Sequence, residues 1–182
     1  MGVIKGSVTG LRAVERDDLP QLLEWRNQPL YRRFFREDRE LNSFQQERWF
    51  EETVVGGSST RMFSIVELDG GRLIGACGLC YINWRDRNAD LSLYIGIGGL
   101  YIDDTYAPDA ARTLLHFGFE EMGLHRIWAE IYSVDTAKEK LFKSLGMTLD
   151  GRHRETRWTA GHWVDSLFFS VLADEYRICG DV

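Results

Sequence analysis

The fold is decided between residues 88 and 123, which read NADLSLYIG over 88–96 and APDAARTLLHFGFEEMG over 107–123. The first part alternates with a period of two, which is typical of a β-strand. Its two faces carry Leu91, Leu93 and Ile95 on one side and Asp90, Ser92 and Tyr94 on the other. The second part repeats every three or four residues and ends at Gly123, as an amphipathic helix with a glycine cap does. The pattern predicts a strand followed closely by a long helix.

The C-terminal side continues with elements of the same kinds. Residues Arg126 to Val134 predict a strand, and Asp135 can cap a further helix that ends at Gly146. The inner face of that helix would be Ala137, Leu141, Phe142 and Leu145. The last part, Met147 to Leu172, predicts two strands joined around residues 159–161.

The N-terminal side predicts two helices and a hairpin. Asp17 or Asp18 can cap a helix that runs to Asn27, and Ser43 with Gln46 forms a capping box before a helix over residues 44–54. Strands over residues 62–68 and 72–81 flank Asp69-Gly70-Gly71, which suits a tight turn. The order is β, α, α, β, β, β, α, β, α, β, β. It predicts one mixed α/β domain over residues 1–182, with a mostly antiparallel sheet.

Composition excludes several classes of protein. The chain has 182 residues, 44% hydrophobic and 27% charged, with a net charge of −6, so it can fill a globular core. No apolar run approaches the roughly 18–20 residues that span a membrane, and residues 1–7 carry no secretory signal pattern, so a cytoplasmic location is expected. An acidic pI of about 5.3 argues against a nucleic-acid partner, because the basic cluster at residues 152–157 is small and contains Glu155. With three cysteines and no closely spaced histidine pair, no metal site is expected.

From Leu11 to Tyr176 the order of elements and five local strings resemble the GNAT superfamily of acyl-CoA-dependent N-acyltransferases. Within it they are most similar to the RimJ/RimL-like branch. The strings are Glu24-Trp25-Arg26-Asn27, residues 73–79 (LIGACGL), 89–96 (ADLSLYIG), 119–127 (FEEMGLHRI) and 142–147 (FKSLGM). The resemblance implies a single domain with helices on both faces of the sheet and with splayed fourth and fifth strands, here residues 88–96 and 126–134.

The resemblance also implies where acetyl-coenzyme A binds as co-substrate. The backbone of Leu93, Tyr94 and Ile95 would hold the pantetheine arm, and an N–H group there would polarise the thioester carbonyl. The diphosphate would meet the loop of Ile102, Asp103, Asp104, Thr105, Tyr106 and Ala107 at the start of the long helix.

That loop departs from the family pattern. The usual Gln/Arg-x-x-Gly-x-Gly/Ala falls on Ile102, Thr105 and Ala107, so the basic or amide residue and the first glycine are replaced. Asp103 and Asp104 add two negative charges. They either compete with phosphate for the helix N-terminus or cap a helix that has Pro108 in its first turn. Either alternative predicts a degenerate diphosphate-binding loop.

Amine acylation requires a group that takes a proton from the amine, whose pKa is normally about 10.4. Asp90 matches an acidic family position and is the predicted base, although an Asp at a strand end is equally a solvated edge residue. Many relatives use a Tyr to protonate the leaving thiolate, but Phe142 stands at that position. Tyr132, Ser133 and Tyr94 are the candidate replacements.

Four further positions follow from the resemblance. Asp135 would contact the pantetheine or simply cap its helix. Trp25, Arg26 and Asn27 would lie near the acceptor, where Trp25 is as readily a core residue and Arg26 could hold a carboxylate or phosphate. Together with Phe142 these complete the predicted site.

The predicted function is transfer of an acetyl or similar acyl group from acyl-CoA to a primary amine by direct attack. The acceptor would be a protein N-terminus, an amino sugar or a small molecule, and a homodimer is a further expectation. Two alternatives stay open. The chain could be a catalytically weakened GNAT-fold binding or regulatory protein, or an acyltransferase that takes its acyl group from a carrier protein.

Overall fold

The computed structural model describes residues 2–180, and side chains over residues 2–176. Its centre is an eight-stranded mixed sheet with the order β1-β2-β3-β4-β5-β6-β8-β7. The strands are β1 (Ile4–Lys5), β2 (Thr9–Ala13), β3 (Arg61–Glu67), β4 (Leu73–Asn83), β5 (Asn88–Ile95), β6 (Arg126–Tyr132), β7 (Thr148–Thr159) and β8 (His162–Leu172). Every neighbouring pair is antiparallel except β5 and β6. The predicted α/β fold class and mostly antiparallel sheet are confirmed.

Six helices flank this sheet: α1 (Leu19–Asn27), α2 (Pro29–Arg32), α3 (Ser43–Trp49), α4 (Tyr106–His116), α5 (Thr136–Ser144) and α6 (Ala173–Gly180). Two of them continue into π-helical turns, α3 over Phe50–Val55 and α4 over Phe117–Glu121. Strand β1 and helices α2 and α6 were not part of the predicted order. No helix in the described part of the chain is long and apolar enough to cross a membrane.

The cap of α3 lies one residue earlier than predicted. The Asn42 side chain accepts a hydrogen bond from the Gln45 N–H at 2.9 Å, and the Gln45 side chain accepts one from the Asn42 N–H at 2.9 Å. Asn42 has the extended backbone that an N-cap residue needs, so Ser43 becomes the first helical residue. The predicted Ser43–Gln46 box is therefore wrong by one position.

The core has two layers, one on each face of the sheet. The alternation along β5 sends Leu91, Leu93 and Ile95 into the larger layer, with α4 and α5. Tyr94 points to the opposite face and packs in the smaller layer, which includes Trp25, Tyr31 and Phe35. This division between faces is the one predicted from the period of two.

The sheet opens between β5 and β6. These parallel strands pair only from Asn88–Arg126 to Asp90–Trp128. Beyond that point β6 stays hydrogen-bonded to β8 as far as the Tyr132–Ser166 pair, while β5 stays bonded to β4. The predicted divergence of these two strands is confirmed, and the splay leaves the edge of β5 beyond Asp90 unpaired with β6.

Candidate active site

A cleft lies beside the splay, on the face of the sheet that carries α1 and α3. It consists of two cavities of about 390 Å³ and 410 Å³ that share several lining residues and therefore adjoin each other. The shared residues are Arg26, Glu37, Trp49, Thr53, Met62 and Ser92. We refer to the two cavities together as the central cleft.

Asp90 lies at the last paired position of β5 and lines the central cleft. Its side chain is buried, and its Oδ2 accepts a hydrogen bond from Arg36 Nη1 at 2.6 Å. Burial raises the pKa of Asp90, and the nearby positive charge of Arg36 opposes that shift. Arg36 also donates from Nε to Glu130 on β6 at 3.2 Å. Because Asp90 is buried and ion-paired, the solvated-edge alternative for this residue is excluded.

Two cations lie near one aromatic ring in the central cleft. The Arg26 guanidinium lies 4.4 Å from the Phe35 ring centroid, and the Lys138 ammonium lies 5.9 Å from the same centroid. Lys138 Nζ is also 5.4 Å from the centroid of Tyr101. Burial lowers the pKa of Lys138, while Asp135 and Asp90 act in the opposite direction.

The segment after β5 folds back across the splay, and we call residues 96–101 the strap. The carbonyl of Tyr101 accepts a hydrogen bond from the Ile95 N–H at 2.7 Å. The Tyr101 hydroxyl donates to Asp135 Oδ2 at 2.5 Å, so this buried ring joins the end of β5 to the start of α5. Tyr101 has a φ of 55°, a conformation that is uncommon for a residue with a side chain.

The N-terminus of α4 is already occupied by a carboxylate. Asp103 accepts hydrogen bonds from the N–H groups of Thr105, Tyr106 and Ala107 at 3.0, 2.9 and 2.8 Å. Asp104 points elsewhere and pairs with Lys140 on α5 at 2.8 Å. The capping alternative therefore holds for Asp103. A diphosphate at this helix terminus would use the same N–H groups. By capping the helix, Asp103 therefore also competes with phosphate for this site.

Coenzyme A fits some parts of this site better than others. The splay supplies unpaired strand edge for a pantetheine arm, although the Ile95 N–H is engaged by the strap. A cavity of about 250 Å³ between α4 and α5 carries two basic side chains, Arg112 and Lys140, which suit phosphate groups, but Asp103 and Asp104 line it as well and Asp104 pairs with Lys140. The fit is poorest at the N-terminus of α4, where a phosphate would have to displace the Asp103 carboxylate.

The other residues predicted for the cofactor have mainly structural contacts. Leu93, Ile95 and Ala107 are core residues, and Phe142 packs against Phe169 with ring centroids 5.8 Å apart. The Tyr106 hydroxyl donates to Glu67 at 2.6 Å. Ile102 and Thr105 line the cavity between α4 and α5. Asp135 caps α5 by accepting from the Lys138 N–H at 3.1 Å, in addition to its bond with Tyr101.

The predicted acceptor residues lie close together at the end of α1. Trp25 is buried and its ring packs against Gly96, where an added Cβ would come within 1.9 Å of the indole. Asn27 holds both backbone polar groups of Leu41, with distances of 2.7 and 2.8 Å. Arg26 is the member of the three that lines the central cleft.

Of the three predicted proton donors, Tyr94 alone lines the central cleft. Burial raises the pKa of its hydroxyl. Tyr132 lies under the guanidinium of Arg157, and Ser133 Oγ accepts from the Asp165 N–H at 3.3 Å on β8. The structure thus separates Tyr94 from the other two.

Among the residues in or beside the cleft that were not predicted, Arg36, Tyr101 and Lys138 contact predicted site residues. Lys138 is four residues before Phe142, so both lie on the same face of α5, and this spacing could have identified it. Arg36 lies in the connection between α2 and α3, and Tyr101 in the strap. Neither connection has a periodicity from which the direction of a side chain could be read.

The two cysteines whose side chains the structure describes, Cys77 and Cys80, are free thiols. Cys77 is fully buried, and Cys80 Sγ lies 3.8 Å from Met62 Sδ, while burial raises the pKa of the Cys80 thiol to about 12. Over the described residues, no group of three or more His, Cys, Asp or Glu side chains could hold a metal ion. The third cysteine, Cys179, lies outside the described side chains.

Comparison with known proteins gives matches over most of the chain. The acetyltransferase (GNAT) domain family matches residues 9–148. The uncharacterized N-acetyltransferase p20 of Bacillus licheniformis is 29% identical over 114 residues, which is 63% of this chain and 63% of that protein. The uncharacterized N-acetyltransferase YnaD of Bacillus subtilis (strain 168) is 30% identical over 77 residues, 42% of this chain and 45% of that one. The matches therefore span less than two thirds of the length of these relatives.

Solved structures share the fold at low sequence identity. The spermidine N-acetyltransferase of Vibrio cholerae, in complex with CoA and spermine, superposes with a TM-score of 0.84 and 22% identity, covering 94% of this chain and 99% of that one. A GNAT-family acetyltransferase from Bacillus anthracis gives a TM-score of 0.80 at 18% identity, covering 95% and 99%. With the family match over residues 9–148, the splayed parallel strands and the cleft beside them, the chain belongs to the acetyltransferase (GNAT) domain family.

Proposed function

We propose that the chain transfers an acetyl or similar acyl group from acyl-CoA to a primary amine by direct attack inside the central cleft. The observation that carries this proposal is the splay of β5 and β6 directly above a buried carboxylate, Asp90, which lines that cleft. The N-acetyltransferase names of the relatives and the fold of the spermidine N-acetyltransferases support amine acetylation in general.

The backbone of β5 would hold the acyl donor. Residues 91, 93 and 95 present their N–H groups on the same side of the strand, because strand directions alternate, and the Ile95 N–H is the one bound by the strap. Pairing with β6 has ended before residue 93. We therefore assign the Leu93 N–H as the donor to the thioester carbonyl, where it stabilises the negative charge that develops on oxygen.

Asp90 would accept the proton of the attacking amine. Arg36 holds Oδ2, which leaves Oδ1 to act on an amine or on a water bound to it. Burial makes this carboxylate a stronger base than an exposed Asp, because it raises the pKa. When the tetrahedral intermediate collapses, the C–S bond breaks and Tyr94 donates a proton to the departing thiolate.

The remaining proposals concern the acceptor, the family branch, the cellular location and the oligomeric state. Arg26 would contact the acceptor, and Trp25 and Asn27 would position the end of α1 that carries Arg26. Protein N-termini, amino sugars and small amines remain the acceptor classes, and membership of the RimJ/RimL-like branch rests on the five strings. A cytoplasmic location and a homodimer also remain proposals, the former supported by the two thiols that stay unpaired at Cys77 and Cys80.

The direct test is a thiol-release assay with acetyl-CoA and a panel of primary amines, with the acetylated product identified by mass spectrometry. We expect amine-dependent release of free coenzyme A and no transfer with tertiary amines, which have no proton to lose. Acetyl-CoA that binds in the splay but reacts with none of the amines would contradict the proposed activity.

A second function is favoured by the Asp103 cap. Because Asp103 occupies the N–H groups at the start of α4, free coenzyme A could bind weakly. The chain would then be a binding or regulatory protein, or an acyltransferase supplied by an acyl carrier protein. A calorimetric titration with acetyl-CoA at several salt concentrations, repeated with an acetylated carrier protein as donor, separates these alternatives from the ordinary enzyme.

A further inference from the structure

The carboxylates that line the central cleft all have arginine partners. Asp90 and Glu130 share Arg36, at 2.6 and 3.2 Å. Nearer the mouth of the cleft, Glu37 pairs with Arg39 at 2.7 Å and Glu52 pairs with Arg48 at 2.9 Å. A second ammonium group on an acceptor would therefore have to break an existing ion pair in order to find a counter-charge.

The cations of the cleft are not all paired in this way. Arg36, Arg39 and Arg48 hold the four carboxylates, which leaves Arg26 and Lys138. Within the part of the chain that the structure describes, neither of these two forms an ion pair, and each lies against the Phe35 ring instead, at 4.4 and 5.9 Å from its centroid.

An unpaired cation in a partly buried cleft favours an anionic ligand. Lys138 loses hydration there, as the lowering of its pKa by burial indicates. A carboxylate or other oxyanion bound in the cavity that both side chains line would restore that lost interaction by accepting hydrogen bonds from Lys138 and Arg26. Phe35 would form the apolar floor of such a site.

We infer that the acceptor is a small amine that also carries a carboxylate or another oxyanion, held by Arg26 and Lys138 while its amine faces Asp90. This inference rests on the proposed function and specifies its substrate class. The two ends of the acceptor must be several bonds apart, because an anion next to the amine would face the Asp90 carboxylate. A polyamine is correspondingly a poor acceptor.

The test compares acids with their amides in the acetyl-CoA assay. The probes are 4-aminobutanoate, 5-aminopentanoate and 6-aminohexanoate, each against its own amide, and spermidine. Three or more methylenes insulate the amine in these pairs, so the amine basicity is nearly the same and the charge at the far end is the difference. We expect at least one acid to exceed its amide in kcat/KM by about 10-fold or more, with spermidine lowest, since a hydrogen bond to a charged group is stronger than one to a neutral amide.

Two variants and a control locate the effect. Arg26→Gln and Lys138→Met should each reduce the ratio of acid to amide, and Lys138→Glu should move the preference toward spermidine. Lys143→Met is the matched control, because Lys143 lies on the same helix but is exposed and paired with Glu139 outside the cleft. It should leave the ratio unchanged.

The outcomes distinguish failure of the inference from failure of the proposed function. If amines are acetylated but each amide reacts as well as its acid, or spermidine reacts best, the inference is overturned and the proposed function stands. If no amine is acetylated, the proposed function fails. Calorimetric binding of the same acids and amides then tests the anion site independently of catalysis. Equal binding of an acid and its amide would overturn it, and tighter binding of the acid, lost in Lys138→Met, would support it.

Discussion

Asp90 combines two environments that oppose one another. The buried site disfavours the carboxylate, whereas the ion pair with Arg36 at 2.6 Å favours it, and the net effect is a raised pKa. We therefore expect the acetylation rate to fall as the pH drops through the pKa of Asp90, which lies above the ordinary value of 3.8. An exposed Asp would show that loss at lower pH.

Asp90→Asn keeps the shape of the side chain and removes its capacity to accept a proton. The acetylation rate should fall by about 10²- to 10⁴-fold, while acetyl-CoA still binds. The residual rate should recover as the pH rises toward the amine pKa of about 10.4, because more of the acceptor is then already neutral. Rate against pH for wild type and variant measures both effects. Asp150→Asn, on an outer ion pair with Arg126, is the control. Full activity of Asp90→Asn at neutral pH would mean that Asp90 is not the base.

Individual site residues were predictable where a regular element fixes their direction. The alternation in β5 identified Asp90 and Tyr94 as members of one face, and the string at the end of α1 identified Arg26. The partners that determine what these residues do come from connections, as Arg36 and Tyr101 do. Their positions depend on contacts between residues more than fifty positions apart in the sequence, as in the Arg36–Asp90 pair.

At the scale of elements, α4 begins with a carboxylate in its own N-terminal site. Asp103→Gly frees three N–H groups and should strengthen acetyl-CoA binding by about 2- to 30-fold, the range that corresponds to about 0.3–2 kcal/mol for a charge at a helix terminus. Asp104→Asn is the comparison, because Asp104 is exposed and faces Lys140. Any effect of Asp104→Asn should vanish at about 1 M salt, where the screening length is about 3 Å, whereas that of Asp103→Gly should persist. Equal dissociation constants for wild type and Asp103→Gly would show that the loop rearranges on binding without cost.

The first turn of α4 also anchors the N-terminal strands. Asp109 accepts hydrogen bonds from the N–H groups of Ser7, Val8 and Thr9 at 2.8 to 3.0 Å and from the Thr9 hydroxyl at 2.7 Å. Burial raises the pKa of Asp109, but these hydrogen bonds outweigh it and the net shift is downward. Asp109 therefore stabilises the fold above the unfolded-state pKa, and that stability is lost as the pH falls through the lowered pKa of the folded state.

Asp109→Asn should reduce the free energy of unfolding by about 1.5–3 kcal/mol at neutral pH, the usual value of hydrogen bonds to a charged group. Urea denaturation measures this cost, and it should shrink in acid, where the wild-type carboxylate is protonated as well. Asp17→Asn, at an exposed position, should change little at either pH. A cost that is independent of pH would indicate lost packing and not lost charge.

At the scale of the whole molecule, helix α1 packs closely against the end of β5 where Trp25 contacts Gly96. A Cβ on Gly96 would lie 1.9 Å from the indole, so Gly96→Ala must move Trp25 or the end of β5. We expect a loss of about 1–3 kcal/mol in the free energy of unfolding, as is typical of overpacked cores. Gly151→Ala, on β7 with open space around it, is the matched control and should be nearly neutral. Urea denaturation of both variants is the measurement. Equal stability of the two would show that Trp25 or the end of β5 shifts without a cost in stability.

The architecture as a whole followed from patterns that act locally. Period two in β5, period three or four in α4 and the glycines of the β3–β4 turn are consequences of backbone geometry. The splay could not be deduced from periodicity, because the alternation of β5 is the same in its paired and unpaired halves; it came from the family resemblance and is confirmed. Short elements such as β1 and α2 were not predicted, because two or four residues are too few to show a period.

The strap of residues 96–101 gives the protein an internal competitor for its own co-substrate. The Tyr101 carbonyl holds the Ile95 N–H, and the Tyr101 hydroxyl holds Asp135, so a pantetheine arm that pairs with Ile95 as well as Leu93 requires a conformer in which the strap is open. If that conformer makes up about 1% of the population, the apparent affinity is about 100-fold weaker than the intrinsic one. Association would then be gated: in stopped-flow mixing, the observed rate should level off at high acetyl-CoA concentration, at the opening rate of the strap. In Tyr101→Phe, which lacks the bond to Asp135, that plateau should rise.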